Sequence, residues 1–177
     1  MAKTATTQQQ DHIDRFLEEI AAELPPTLDL EVEGIVDRIG GLSKRFRRSM
    51  EETVAEFGLT HGEWHVLSHL RHIGPPYRRS AGQLAERAEL SSGAMTNRLD
   101  RLEDAGLVRR LPDPDDRRGV QVELTEAGHR VSQESVTVQA AKEALVAGAL
   151  TKAEKRQLNT LLRRLMLEFE RREQTDS

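Results

Sequence analysis

Between Ser80 and Thr125 the periodicity of the chain changes twice, and this change constrains the fold more than any other feature. Ser80 with Gln83 opens a short helical pattern, and Ser91 or Ser92 caps a second one that Gly106 closes. Leu107–Leu111 and Val120–Leu124 are short, mostly apolar runs of strand character. They flank a turn rich in Pro, Asp and Gly, the signature of a hairpin. Helix, turn, helix and hairpin in that order leave few three-dimensional solutions.

The rest of the chain reads as helix. Met1–Gln10 is small and polar and is expected to be a disordered arm. Ile13, Phe16, Leu17, Ile20 and Leu24 follow a 3–4 spacing, which predicts an added N-terminal helix over 11–24, ended by Pro25-Pro26. A longer helix over 30–57 carries Ile35, Ile39, Leu42, Phe46, Met50, Val54 and Phe57, and Gly58 terminates it. Thr60 with Glu63 forms a capping box for a helix through Trp64, Leu67, Leu70 and Ile73, which Gly74-Pro75-Pro76 stops. Thr125 starts a helix to about Ala149. Thr151 with Glu154 opens the last one, whose apolar face is Leu158, Leu161, Leu162, Leu165, Met166 and Phe169. The expected fold class is mainly α with a small β-hairpin: a winged helix-turn-helix lobe at about 60–125 plus helices 30–57 and 126–170. Apolar stripes at the two ends of the chain either cap their own core or meet a second copy as a homodimer interface, the reading we favour.

Composition narrows the chemistry. With no cysteine, disulfides and thiolate metal sites are excluded. No apolar run approaches the roughly 20 residues that span a bilayer, so no membrane partner is expected and the location is expected to be cytoplasmic, at the nucleoid. The net charge of −4 does not resemble that of a nucleic-acid binder, but the position of the basic residues matters more than their sum. There is no nucleophile motif and no Gly-rich phosphate loop, so the chain is not expected to be an enzyme or to carry a cofactor.

Phasing the segment 92–105 at about 100° per residue puts Met95, Leu99 and Leu102 on an inward face. Gly93, Thr96, Asn97, Asp100 and Arg101 fall opposite, with Ser91 and Ser92 at the N-terminal lip. Small and amide side chains suit close approach to a DNA major groove, where Asn pairs bidentately with adenine and Arg with guanine. Ser91, Ser92, Gly93, Thr96, Asn97 and Arg101 are therefore the expected reading residues. In the turn, Arg117 and Arg118 are suited to enter a minor groove, and Asp116 is placed to hold the Arg118 guanidinium extended.

These residues resemble the MarR family of bacterial transcription regulators. The matching pieces include Leu59-Thr60-His61-Gly62-Glu63-Trp64, Ser91–Leu99, Pro112–Gly119 and Leu124-Thr125-Glu126-Ala127-Gly128. The resemblance implies a homodimer with two winged-helix lobes on a pseudo-palindromic double-stranded DNA operator, with repression relieved by a small anionic or aromatic effector. The added N-terminal helix looks like that of the subgroup containing urate-responsive regulators. By that likeness Arg98 and Arg110 match two ligand-binding arginines, and His65 stands where the subgroup has an Asp. The subgroup's Trp in the added helix is missing here, since Trp64 is the one tryptophan, which argues against urate itself. Phasing agrees for Arg98, which lies only about 60° from the inward face. The expected ligand-binding residues are thus His65, Arg98 and Arg110.

His61, His65, His69 and His72 share one flank of a helix at spacings of four, four and three. They admit three readings: half-buried helix residues without a function, a pH-sensitive or anion-binding element beside Arg98, or a metal site completed by Glu63 or His129. No metal ligand is assigned. A metal- or pH-sensing regulator, or a regulator without any ligand, stands as the alternative function.

Overall fold

The computed structural model describes residues 9–114 and 119–175. They form seven helices and three strands in the order α1 (His12–Ile20), α2 (Leu30–Ala55), α3 (His61–Ile73), β1 (Arg78–Ser80), α4 (Ala81–Arg87), α5 (Ser92–Asp104), β2 (Val108–Pro112), β3 (Val120–Leu124), α6 (Glu126–Ala147) and α7 (Lys152–Thr175). The fold is mainly α with one small antiparallel sheet, as expected of a winged helix-turn-helix lobe flanked by terminal helices. The chain divides into two compact units, with the boundary between Ser49 and Met50. Among the described residues no helix is long and apolar enough to cross a membrane.

In the first unit α1 is shorter than its apolar spacing suggested, ending at Ile20. Asp11 caps it by accepting from the backbone N–H groups of Ile13 and Asp14. Ile13 and Leu17 are buried, and the Arg38 guanidinium bridges to Asp11 (3.0 Å) and to Asp14. The capping bond from the Asp14 N–H, and then the Arg38 fork, hold the Asp11 carboxyl at about 2, well below the ordinary range.

The second unit contains the core. Val54 of α2, Val66, Leu67 and Leu70 of α3, Leu84 of α4, Met95, Leu99 and Leu102 of α5, and Val108, Val122 and Leu124 of the sheet are all buried together. Burying such a side chain contributes about 1.5–3 kcal/mol, so one face of each short element is enough to fix it. The capping boxes at Thr60–Glu63 and Ser80–Gln83 form as expected, and Ser91 rather than Ser92 caps α5 by accepting from the Ala94 N–H (3.3 Å).

The strand β1 was not anticipated. It pairs with β3, giving the order β1-β3-β2 and setting Arg78, Glu123 and Arg109 side by side. Glu123 is 7% exposed and accepts from both guanidinium groups, each Nε–H at 2.7 Å. Helix α6 approaches β2 closely at Gly128: a Cβ there would lie 2.0 Å from the Leu107 carbonyl oxygen, so only glycine fits.

Helices α2 and α7 each carry large apolar residues at the surface. Ile35, Ile39, Leu42 and Phe46 of α2 are exposed, and so are Leu158, Leu161, Leu165, Met166 and Phe169 of α7. Helix α7 buries no residue.

Candidate nucleic-acid interface and adjoining cavity

Helix α5 is anchored from one side and open on the other. Met95, Leu99 and Leu102 are each 1% exposed, which fixes the rotation of the helix. Ser91, Ser92, Gly93, Thr96 and Asn97 are exposed, and a Cβ on Gly93 would meet nothing within 4 Å. The Thr96 hydroxyl donates to the Ser92 carbonyl (2.9 Å). Small side chains at the N-terminal end of an uncovered helix leave room for a polyanion to approach backbone N–H groups that lack helical partners.

The two acidic neighbours of this face are neutralised. Arg110 of β2 donates to Asp100 and Glu103, each at 2.7 Å, and to the Thr96 carbonyl (3.2 Å). Arg101 likewise does not project freely: its Nε–H donates to Glu63 Oε1 (2.5 Å), though the side chain stays largely exposed. Burial alone would push the Glu63 carboxyl up, but the bonds from the Thr60 N–H, the Thr60 hydroxyl and Arg101 more than offset it and hold the group ionised. The expected wing residues Asp116, Arg117 and Arg118 lie outside the described residues. The ends of their loop are joined by the Asp113 N–H donating to the Gly119 carbonyl (3.1 Å).

Behind α5 lies a half-open cavity of about 760 Å³ between α3, α4 and the α5 N-terminal turns. Of the expected ligand residues, His65 and Arg98 both line it. Arg110 does not; its guanidinium is held by Asp100 and Glu103 instead. The Arg98 guanidinium donates to the Gly62 carbonyl (3.3 Å), and a Cβ on Gly62 would stand 2.5 Å from its Cζ. Glycine at this position in α3 is what lets the arginine lie flat on the helix.

The four histidines His61, His65, His69 and His72 all line the cavity. His65 packs edge-on against His61, their ring centroids 4.5 Å apart. Burial, then the positive charge of His61 and Arg98, pushes the His65 pKa down. Burial, then Arg87, Arg79 and His72, does the same at His69. Among the described residues no three His, Asp or Glu side chains converge as a metal site. Trp64 also lines the cavity, and its indole N–H donates to Ser135 of α6 (2.9 Å).

Known proteins share this fold. The sequence profile of the MarR family matches residues 59–120. The chain is 31% identical over 140 residues to the HTH-type transcriptional regulator PecS of Dickeya dadantii (strain 3937), a match covering 79% of this chain and 84% of that protein. The chain belongs to the MarR family. Its fold is similar to that of the YusO protein from Bacillus subtilis, at 26% identity and a TM-score of 0.68, covering 80% of this chain and 98% of that one. It is also similar to a mutant MarR from E. coli solved in complex with operator DNA, at 27% identity and a TM-score of 0.60, covering 76% and 95%. The protein is a DNA-binding transcriptional regulator with a winged helix-turn-helix, and its relatives are regulators rather than enzymes.

Gly62, Arg87 and Glu123 were not anticipated as working parts, and Glu63 was anticipated as a helix cap but not as the partner of Arg101. Gly62 left only a weak signal, because a glycine inside a helical pattern costs stability and invites a packing reason, yet Gly93 at the equivalent place in α5 has none. Arg87 left none, since its contribution depends on α4 folding back against α3.

Proposed function

We propose that the protein is a homodimeric repressor that binds a pseudo-palindromic operator and is released by a small anionic or aromatic ligand. The observation carrying this reading is helix α5, nailed into the core by Met95, Leu99 and Leu102 while Ser92, Gly93, Thr96 and Asn97 stand uncovered. Among the described residues the Asn97 amide has no hydrogen-bond partner within the chain, so it is the side chain best suited to a base edge. Ser91 contributes as the cap of α5, and Arg101 as a charge tethered by Glu63 that reaches a backbone phosphate or a guanine. Asp116, Arg117 and Arg118 join the interface on the strength of the sequence, as a wing directed at the minor groove.

The exposed apolar faces of α2 and α7 support the dimer, because a soluble chain rarely leaves stripes of this size uncovered. A two-fold axis then sets two copies of α5 on half-sites roughly 10 base pairs apart. His65 and Arg98 receive the effector, in a cavity that borders the reading helix. The test pairs selection from a random DNA pool with gel shifts. A palindrome with that spacing is the expected product, and Asn97→Ala should weaken its binding by about 1–3 kcal/mol, roughly five- to 150-fold. Leu161→Asp should yield a monomer in sedimentation with weaker operator binding. An unstructured pool, or full affinity in Asn97→Ala, refutes the assignment of α5 as reader.

A further inference from the structure

The cavity behind α5 is lined along α3 from His61 to His72, and its charge is one-sided. Among its described lining residues there is no aspartate or glutamate, and every ionisable group is a histidine or an arginine. These groups fall into two sets. Arg98 of α5 faces His65 and His61 at the α3 N-terminal end. One turn along α3, His69 has His72 of its own helix, Arg87 of α4 and Arg79 of β1 as its charged neighbours. His65 and His69 are separated by a rise of about 6 Å. Val66, Leu84 and Leu90 add apolar lining to the same cavity.

We infer that the effector is an elongated dianion, two anionic groups on a flat apolar spacer, with one end held by Arg98 and His65 and the other by Arg87 and His69. This deepens the effector reading and rests on it. One arginine at each end supplies permanent charge, and one histidine at each end supplies charge on demand. Burial and then the positive neighbours of each push the pKa of both histidines down. An anionic group arriving beside each reverses that balance, so binding draws in protons. The ligand is then gripped more tightly as pH falls through the neutral range.

The test is calorimetry on the full chain with three probes: benzoate, phthalate and terephthalate. Phthalate carries the same charge as terephthalate on adjacent ring carbons, so it separates reach from charge. Terephthalate should bind roughly tenfold or more tightly than either. Titration in two buffers of different ionisation enthalpy at neutral pH should register proton uptake, larger for terephthalate than for benzoate. Arg87→Met should bring terephthalate down to the level of benzoate, with benzoate changing less than about twofold, and Arg87→Lys should restore most of the difference. Equal affinity for phthalate and terephthalate, or a terephthalate affinity indifferent to Arg87→Met, overturns the two-ended site while leaving the effector reading in place. No binding of any of the three acids refutes the effector reading and this inference together.

Discussion

Gly62→Ala separates the seating of Arg98 from the stability of the fold. The new methyl would lie 2.5 Å from Arg98 Cζ and 2.6 Å from Nη2, contacts that real atoms do not make. The atoms in the way are the far end of a flexible side chain, so the guanidinium leaves its place on α3 while the backbone stays. The hydrogen bond to the Gly62 carbonyl is lost, a long one at 3.3 Å from a half-buried arginine, worth about 0.5–1 kcal/mol. Alanine returns about 0.5–1 kcal/mol by its better helix propensity. The two changes offset, and the melting temperature should stay within about 4 °C of the parent. Anion binding does not escape so lightly. An arginine that must be reordered before it meets its ligand forfeits much of a charge-assisted contact of about 1.5–3 kcal/mol, so benzoate affinity should fall roughly ten- to a hundredfold. Differential scanning fluorimetry and calorimetry on Gly62→Ala and Arg98→Ala give both numbers. If Gly62→Ala binds benzoate like the parent while Arg98→Ala does not, Gly62 does not seat the arginine. A melting temperature lower by more than about 10 °C would mean that the guanidinium had nowhere to go, and the argument fails on geometry.

The same substitution at Gly128 should have the opposite outcome, because the Cβ meets the Leu107 carbonyl oxygen at 2.0 Å, and backbone cannot swing aside. Overpacking of about 3 kcal/mol is expected, lowering the melting temperature by roughly 6–12 °C, and a shift under about 2 °C would contradict the close approach of α6 to β2. At the sheet, the hydrogen bond from Arg78, opposed by burial and aided by Arg109, depresses the Glu123 carboxyl below its ordinary value. A depressed carboxylate stabilises the fold above its unfolded pKa, and that stability is lost as pH falls through the folded value. Chemical denaturation should therefore find the parent losing stability below about pH 4.5 more steeply than Glu123→Gln does; parallel curves would remove the Arg78–Glu123–Arg109 ladder from the account.

What could be read in advance depended on how local its causes were. The capping boxes at Thr60–Glu63 and Ser80–Gln83 need residues three apart, and the inward face Met95–Leu99–Leu102 needs one turn of phase; both were legible. Strand β1 was not, because Arg78, Arg79 and Ser80 have no alternating apolar pattern. Its partner is a strand some forty residues away, and Glu123 joins it to β2 through a charge rather than through a hydrophobic face. Arg101 and Arg110 expose a different limit. Helical phase locates a Cα, but an arginine is long enough to curl away from the face it starts on, and the carboxylates that capture these two come from α3 and from α5. The family likeness placed Arg110 at the ligand, whereas here its guanidinium is paired with Asp100 and Glu103 beside the exposed face of α5.

That pairing bears on how a chain of net charge −4 approaches DNA. Helix α5 begins with Ser92, Gly93 and Ala94, which bring no side-chain charge, and its exposed backbone N–H groups carry the positive end of the helix dipole. Further along it bears Asp100, Glu103 and Asp104, which would repel phosphate if left bare. Arg110 covers the first two, and Glu63 pairs with Arg101. The favourable field is thus concentrated at the N-terminal half of α5. Arg98, nearly two turns past the lip at the middle of α5, borders that half and lines the cavity. An anion bound there would lie behind the helix end that attracts phosphate and would oppose its field, so the proposed effector would compete electrostatically with DNA even without touching the same atoms. Such competition is screened within about 10 Å at 0.1 M salt. The antagonism between benzoate and operator should then weaken as salt rises, whereas antagonism carried by a rearranged dimer would persist.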